Sequence, residues 1–123
     1  MPNILVVDDE TSMRKVVRRT LEDAGYCVFE AADGVEAGTI AMTATIDLVI
    51  TDVIMPNRDG VETLIRLRES NPGIRVIVMT GGGRSRNLEL LGVAQQVGAA
   101  STLAKPFRKS QLLAAVGECL SQQ

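Results

Sequence analysis

Four apolar runs in this chain end in side chains that can do chemistry. Residues 4–7 lead into Asp8, Asp9 and Glu10, residues 48–51 into Asp52, residues 75–79 into Thr80, and residues 101–104 into Lys105-Pro106. Carboxylates brought together repel one another and take up protons unless a cation neutralises them. A donor set of carboxylate oxygens, without imidazole or thiolate, favours a hard ion and points to Mg2+ rather than zinc. Mg2+ keeps several waters and takes one or two carboxylates together with phosphate oxygens. Asp8, Asp9 and Asp52 therefore suit a site that receives a phosphoryl group, with the Lys105 ammonium and the Thr80 hydroxyl at the same edge.

What the chain lacks narrows the chemistry further. Its 123 residues include no histidine and no tryptophan. That excludes Ser-His-Asp and Cys-His catalysis, an autophosphorylating histidine, and nearly every conventional zinc or haem site. The net charge is -2, from 13 basic and 15 acidic residues scattered along the chain, which does not suit a nucleic-acid-binding domain. Cys27 and Cys119 stand far apart and outside any C-x-x-C arrangement, so two buried thiols in a reducing compartment are expected. No charged-then-apolar leader and no apolar run near 18 residues is present, and a cytoplasmic protein without membrane contact is expected.

The elements that must position these residues follow from the hydrophobic pattern. Residues 4–7, 27–31, 48–51, 75–79 and 101–104 are short and rich in β-branched side chains. Runs apolar on successive positions, such as Val76-Ile77-Val78-Met79, suit strands covered on both faces, as in a parallel sheet. Between them Val16, Val17, Thr20, Leu21 and Ala24 keep helical spacing, as do Val61, Leu64, Ile65 and Leu67. Gly25 ends the first of these helices and Asn71-Pro72-Gly73 the second. A helix over residues 35–44 is weakened by Gly38 and its threonines. A last one, over 110–120, carries Leu112, Leu113, Val116 and Leu120 on one stripe. Strict alternation predicts an α/β fold, a doubly wound five-stranded parallel sheet with right-handed crossovers, in one domain spanning residues 1–123. In such sheets function gathers at the carboxyl ends of the strands, where the reactive residues lie.

Taken in order, Ile4-Leu5-Val6-Val7-Asp8-Asp9-Glu10, Asp52-Val53-Ile54-Met55-Pro56 with Asp59-Gly60, Met79-Thr80-Gly81 and Leu103-Ala104-Lys105-Pro106-Phe107 resemble the receiver domain of bacterial two-component response regulators, over essentially the whole chain. The resemblance implies a flavodoxin-like (β/α)5 fold and a phosphorylation-dependent signalling switch. It implies Asp52 as phosphoacceptor and Mg2+ held by Asp9, Asp52 and the Ile54 carbonyl, with Asp8 acting through a bound water. It further implies Lys105 and Thr80 as partners of the phosphoryl oxygens, and a cis bond between Lys105 and Pro106. A carboxylate needs no base to be nucleophilic at neutral pH, so the missing histidine costs nothing on this side of the transfer. The implied partners are a sensor histidine kinase or histidine phosphotransfer protein upstream, and an output protein or fused effector domain downstream. Such a domain catalyses its own phosphorylation and dephosphorylation and is not a turnover enzyme.

Blander readings exist for each residue. Asp8 or Glu10 alone would cap the first helix, and Glu10 is read as a cap. Asp52 alone would be a loop carboxylate, and Lys105 alone a solvated lysine. Among whole-chain rivals, a haloacid-dehalogenase-like phosphatase needs a second acid where Ile54 stands, and a flavin carrier needs phosphate donors where Asp8-Asp9-Glu10 would repel. A degenerate receiver acting as a binding module is the remaining alternative. Two departures bear on signalling. Thr102 occupies the place where receivers commonly carry Tyr or Phe, and Gly81-Gly82-Gly83-Arg84-Ser85-Arg86 opens a longer connection toward strand five. Ordering of that loop and of a helix around residues 88–97 is expected to replace the aromatic switch.

Overall fold

Successive side chains on a strand point to opposite faces, so a run that is apolar at every position can be satisfied only between two layers. The computed structural model describes residues 2–52, 60–80, 92 and 101–121, the side chains of residues 60–64 and 80 excepted. Its strands are β1 (Asn3–Val7), β2 (Cys27–Ala31), β3 (Leu48–Asp52), β4 (Arg75–Thr80) and β5 (Ser101–Ala104). All pair in parallel, in the order β2-β1-β3-β4-β5. The helices among the described residues are α1 (Thr11–Asp23), α2 (Gly34–Thr43), α3 (Gly60–Ser70) and α4 (Lys109–Ser121). The helix expected around residues 88–97 lies outside the described residues, Gly92 apart.

Alternation along β1 divides the core in two. Leu5 and Val7 join Val49, Val76, Val78, Ala37 and Leu67 on one face, and Ile4 and Val6 join Ile50, Ile77, Met79, Val17, Leu21, Leu112 and Val116 on the other. Each face is thus sealed by helices, as the doubly wound architecture requires. The strand order reverses direction between β1 and β3, and the crevice outside their carboxyl ends is where such sheets place their sites.

Helix ends follow their local chemistry. Gly25, at φ +97, closes α1, its N–H donating to the Glu22 carbonyl; that left-handed geometry suits glycine. The weak α2 is anchored by Asp33, whose side chain accepts the Glu36 N–H at 2.8 Å.

Two expectations are corrected. Cys119 is buried but Cys27 is exposed. It opens β2, which stands at the end of the strand order, so its rim position leaves the thiol in solvent. Val16 keeps the spacing of the α1 stripe but is 56% exposed, while Val17, Thr20 and Leu21 turn inward. One turn of α1 presents only about a third of its residues to the sheet. Among the described residues no helix is long and apolar enough to cross a membrane.

Candidate functional site

The ladder between β1 and β2 runs one residue beyond the strands, through a bond from the Asp8 N–H to the Ala31 carbonyl at 3.1 Å. This carries Asp8 to the carboxyl edge with its side chain fully buried. A buried carboxylate is tolerated only when it is paired and hydrogen-bonded, and here each oxygen has a donor. Oδ1 accepts the Glu10 N–H at 3.0 Å, and Oδ2 accepts from Lys105 Nζ at 3.0 Å. Asp52 ends β3, opposite Met79 on β4, and its Oδ2 accepts from the same Lys105 Nζ at 3.0 Å.

Lys105 comes from beyond β5, two strands and about 10 Å across the sheet from β3. Only a long stem can bridge that gap, which a lysine provides. The peptide from Lys105 to Pro106 is cis, and the Lys105 side chain is 15% exposed. Burial by itself would lower the ammonium's pKa. Hydrogen bonds and charge from Asp52, then from Asp8, outweigh it and hold the pKa above the ordinary lysine value. The lysine is therefore a fixed cation between two carboxylates.

Asp9 follows Asp8 and is exposed. Carboxylate oxygens of Asp8, Asp9 and Asp52 all lie within 4.8 Å of one another. Three hard oxygen donors this close, with one ammonium among them, keep excess negative charge and fit a divalent cation that prefers oxygen. Asp9, open to solvent, leaves room for the waters such an ion retains.

Asp8, Asp9, Asp52 and Lys105 are thus brought together. Thr80 ends β4 opposite Ala104, which puts its backbone at the same edge; its side chain, like all of Ile54, lies outside the described residues. Glu10 holds the N-cap position of α1, but its carboxylate caps no backbone N–H and accepts instead from Ser12 Oγ at 3.2 Å. Thr102 is half-buried on β5 beside Val78. The glycine-rich connection and the helix expected after it lie outside the described residues.

The structure adds residues that the motifs did not single out. Arg14 Nη1 donates to the Asp8 main-chain carbonyl at 2.7 Å, and its Nε to Glu30 Oε1 at 2.9 Å. Lys15 and Arg18 also reach Glu30. Burial pushes the Glu30 carboxyl up, but hydrogen bonds from Arg18, Lys15 and Arg14 overcome it and hold the pKa at about 2. A signal was available: an acid within an otherwise apolar strand run demands a cation from another element.

The chain matches the family model described as "Response regulator receiver domain" over residues 4–117. It is 35% identical over 117 residues to sporulation initiation phosphotransferase F of Bacillus subtilis, covering 95% of this chain and 92% of that protein. To the chemotaxis protein CheY of Halobacterium salinarum it is 33% identical over 118 residues, 96% of each. The crystal structure of the receiver domain of NtrX from Brucella abortus superposes with a TM-score of 0.91 at 29% identity, covering 98% of this chain and 99% of that one.

Proposed function

The chain belongs to the response regulator receiver domain family, whose work is phosphorylation-based signalling, and on that premise we propose that Asp52 accepts a phosphoryl group from a histidine of a partner protein. The observation that carries this reading is the Lys105 ammonium held at 3.0 Å from both Asp52 and Asp8, beside a third carboxylate.

In the transfer, an Asp52 carboxylate oxygen forms a bond to phosphorus as the bond from phosphorus to the partner's imidazole nitrogen breaks. The electron pair returns to the imidazole, which takes up a proton from water. Positioning and electrostatics supply most of the catalysis in such a reaction. Lys105 lies against the nucleophile and offsets charge on the phosphoryl oxygens, and Thr80 donates its hydroxyl to one of them. Asp9, Asp52 and the Ile54 carbonyl would hold Mg2+, and Asp8 would act through a bound water. Mg2+, when bound, supplies further charge neutralisation on the phosphoryl oxygens. Hydrolysis of the acyl phosphate resets the switch, so the domain is a self-processing phosphoacceptor rather than a turnover enzyme.

The donor is a sensor histidine kinase or a histidine phosphotransfer protein in the cytoplasm. The receiving surface includes the apolar notch of about 100 Å³ formed by Met13, Val16, Pro106 and Phe107, among others. It adjoins Lys105 in sequence and carries the exposed Val16. The domain spans residues 1–123, and its output passes through the surface around β4 and β5 to a separate protein or a fused effector.

Incubation with a small phosphodonor and Mg2+, followed by intact mass measurement, tests the assignment. One labile phosphoryl adduct is expected, absent without Mg2+ and absent in Asp52→Asn. An adduct that persists in Asp52→Asn overturns it.

A further inference from the structure

Asp8 is held at every polar atom: its N–H by Ala31, its two carboxylate oxygens by Glu10 and Lys105, and its carbonyl by Arg14. The last of these differs in kind from the others. The Asp8 carbonyl belongs to the peptide that continues into Asp9, and a peptide is planar. A donor fixed on that oxygen fixes the plane, and with it the direction in which Asp9 leaves the strand. Asp9 is the exposed member of the carboxylate cluster, so its aim depends most on its backbone.

Resting on the proposed metal and phosphoryl site, we infer that Arg14 is a positioning residue for that site. It orients Asp9 through the Asp8 carbonyl while Glu30 clamps the guanidinium from β2. Arg14 is suited to this by shape. Its planar fork meets two acceptors at once, and the side chain is only 13% exposed, as is Glu30 at 12%. Glu30 itself is register-locked opposite Val6, and its neighbour Ala31 opposite Val7, so the clamp shares the strand pair that carries Asp8. The Glu30 carboxylate also offsets part of the guanidinium charge, which lessens its repulsion of a cation at the site.

Charge and geometry predict opposite signs. If Arg14 mattered only as a positive charge, its removal would tighten binding of Mg2+; if it positions Asp9, removal weakens it. Isothermal calorimetry with Mg2+ and no phosphodonor reads the dissociation constant directly, and phosphorylation by a small phosphodonor is followed alongside. Arg14→Gln is expected to raise the Mg2+ dissociation constant about tenfold, the lower end of what outer-shell partners contribute. Its phosphorylation rate falls at low Mg2+ and recovers as Mg2+ saturates. Arg14→Lys keeps the charge but not the fork, and stays weakened. Arg18→Gln also removes a cation from Glu30 without touching Asp8 and leaves the dissociation constant unchanged. Wild-type affinity in Arg14→Gln, tighter binding, or equal weakening in Arg18→Gln overturns the inference. Absence of Mg2+ binding and of the adduct in the wild-type chain instead overturns the function on which it rests.

Discussion

Glu30 contributes to the acid limit of this fold. Its carboxyl sits near 2 in the folded chain against an ordinary value of 4.5, because three cations from α1 outweigh its burial. A depressed carboxyl contributes stability that is fully present above the unfolded pKa and lost as pH falls through the folded one. Urea midpoints should therefore hold steady from neutrality to about pH 5, then fall between 4.5 and 2 as the unfolded chain takes up the proton first. Glu30→Gln should be less stable at neutral pH and lose that part of the acid slope; an unchanged slope would contradict the clamp. At this scale the sequence was unevenly legible. Asp8, Asp52 and Lys105 announced themselves because each follows an apolar run, and strand ends converge in parallel sheets. Arg14 and Glu30 did not, since they stand sixteen residues apart and meet only once β2 lies beside β1.

At the scale of elements, α1 does two jobs with adjoining faces. Val17 and Leu21 close the core, and Val16 stands out beside Met13 and the loop after β5. A lone exposed valine is ordinary on a protein surface, but Val16 borders the notch beside Pro106 and Phe107, where the proposed phosphodonor would cover it. Val16→Glu should slow phosphoryl transfer from a phosphohistidine-bearing partner by tenfold or more, with the rate from a small phosphodonor unchanged; equal slowing of both would place Val16 in the fold rather than at the interface. The strand periods were readable from the sequence because burial on both faces removes ambiguity. The helical stripe of α1 was less so, for spacing alone does not say where the apolar arc stops. The weak propensity of α2 was legible too, and Asp33 with Glu36 three residues on carries the N-cap signal that starts it.

For the whole molecule, the carboxylate cluster is a local cost that the proposed ion would remove. A ligand bound only by the folded state stabilises it by about 2.7 kcal/mol at a hundredfold excess over its dissociation constant. For a chain of this length that is a rise in Tm of roughly 10 °C. Thermal melts with and without saturating Mg2+ should show this shift, reversed by a chelator and lost in Asp9→Asn. An equal shift in Asp9→Asn would place the ion elsewhere. The architecture was legible as a whole because alternating strand and helix signals leave few topologies. The thiols were not, since a cysteine's burial depends on where its strand sits in the sheet order. That position has a practical side. Of the two cysteines, Cys119 is buried with its thiol pKa pushed up by desolvation, while Cys27 faces solvent at the first residue of β2. The reactive edge lies at the other end of that strand, past Ala31. The natural sequence therefore provides a single exposed thiol as a handle for a fluorophore or spin label, at the far end of the strand from the carboxylate edge.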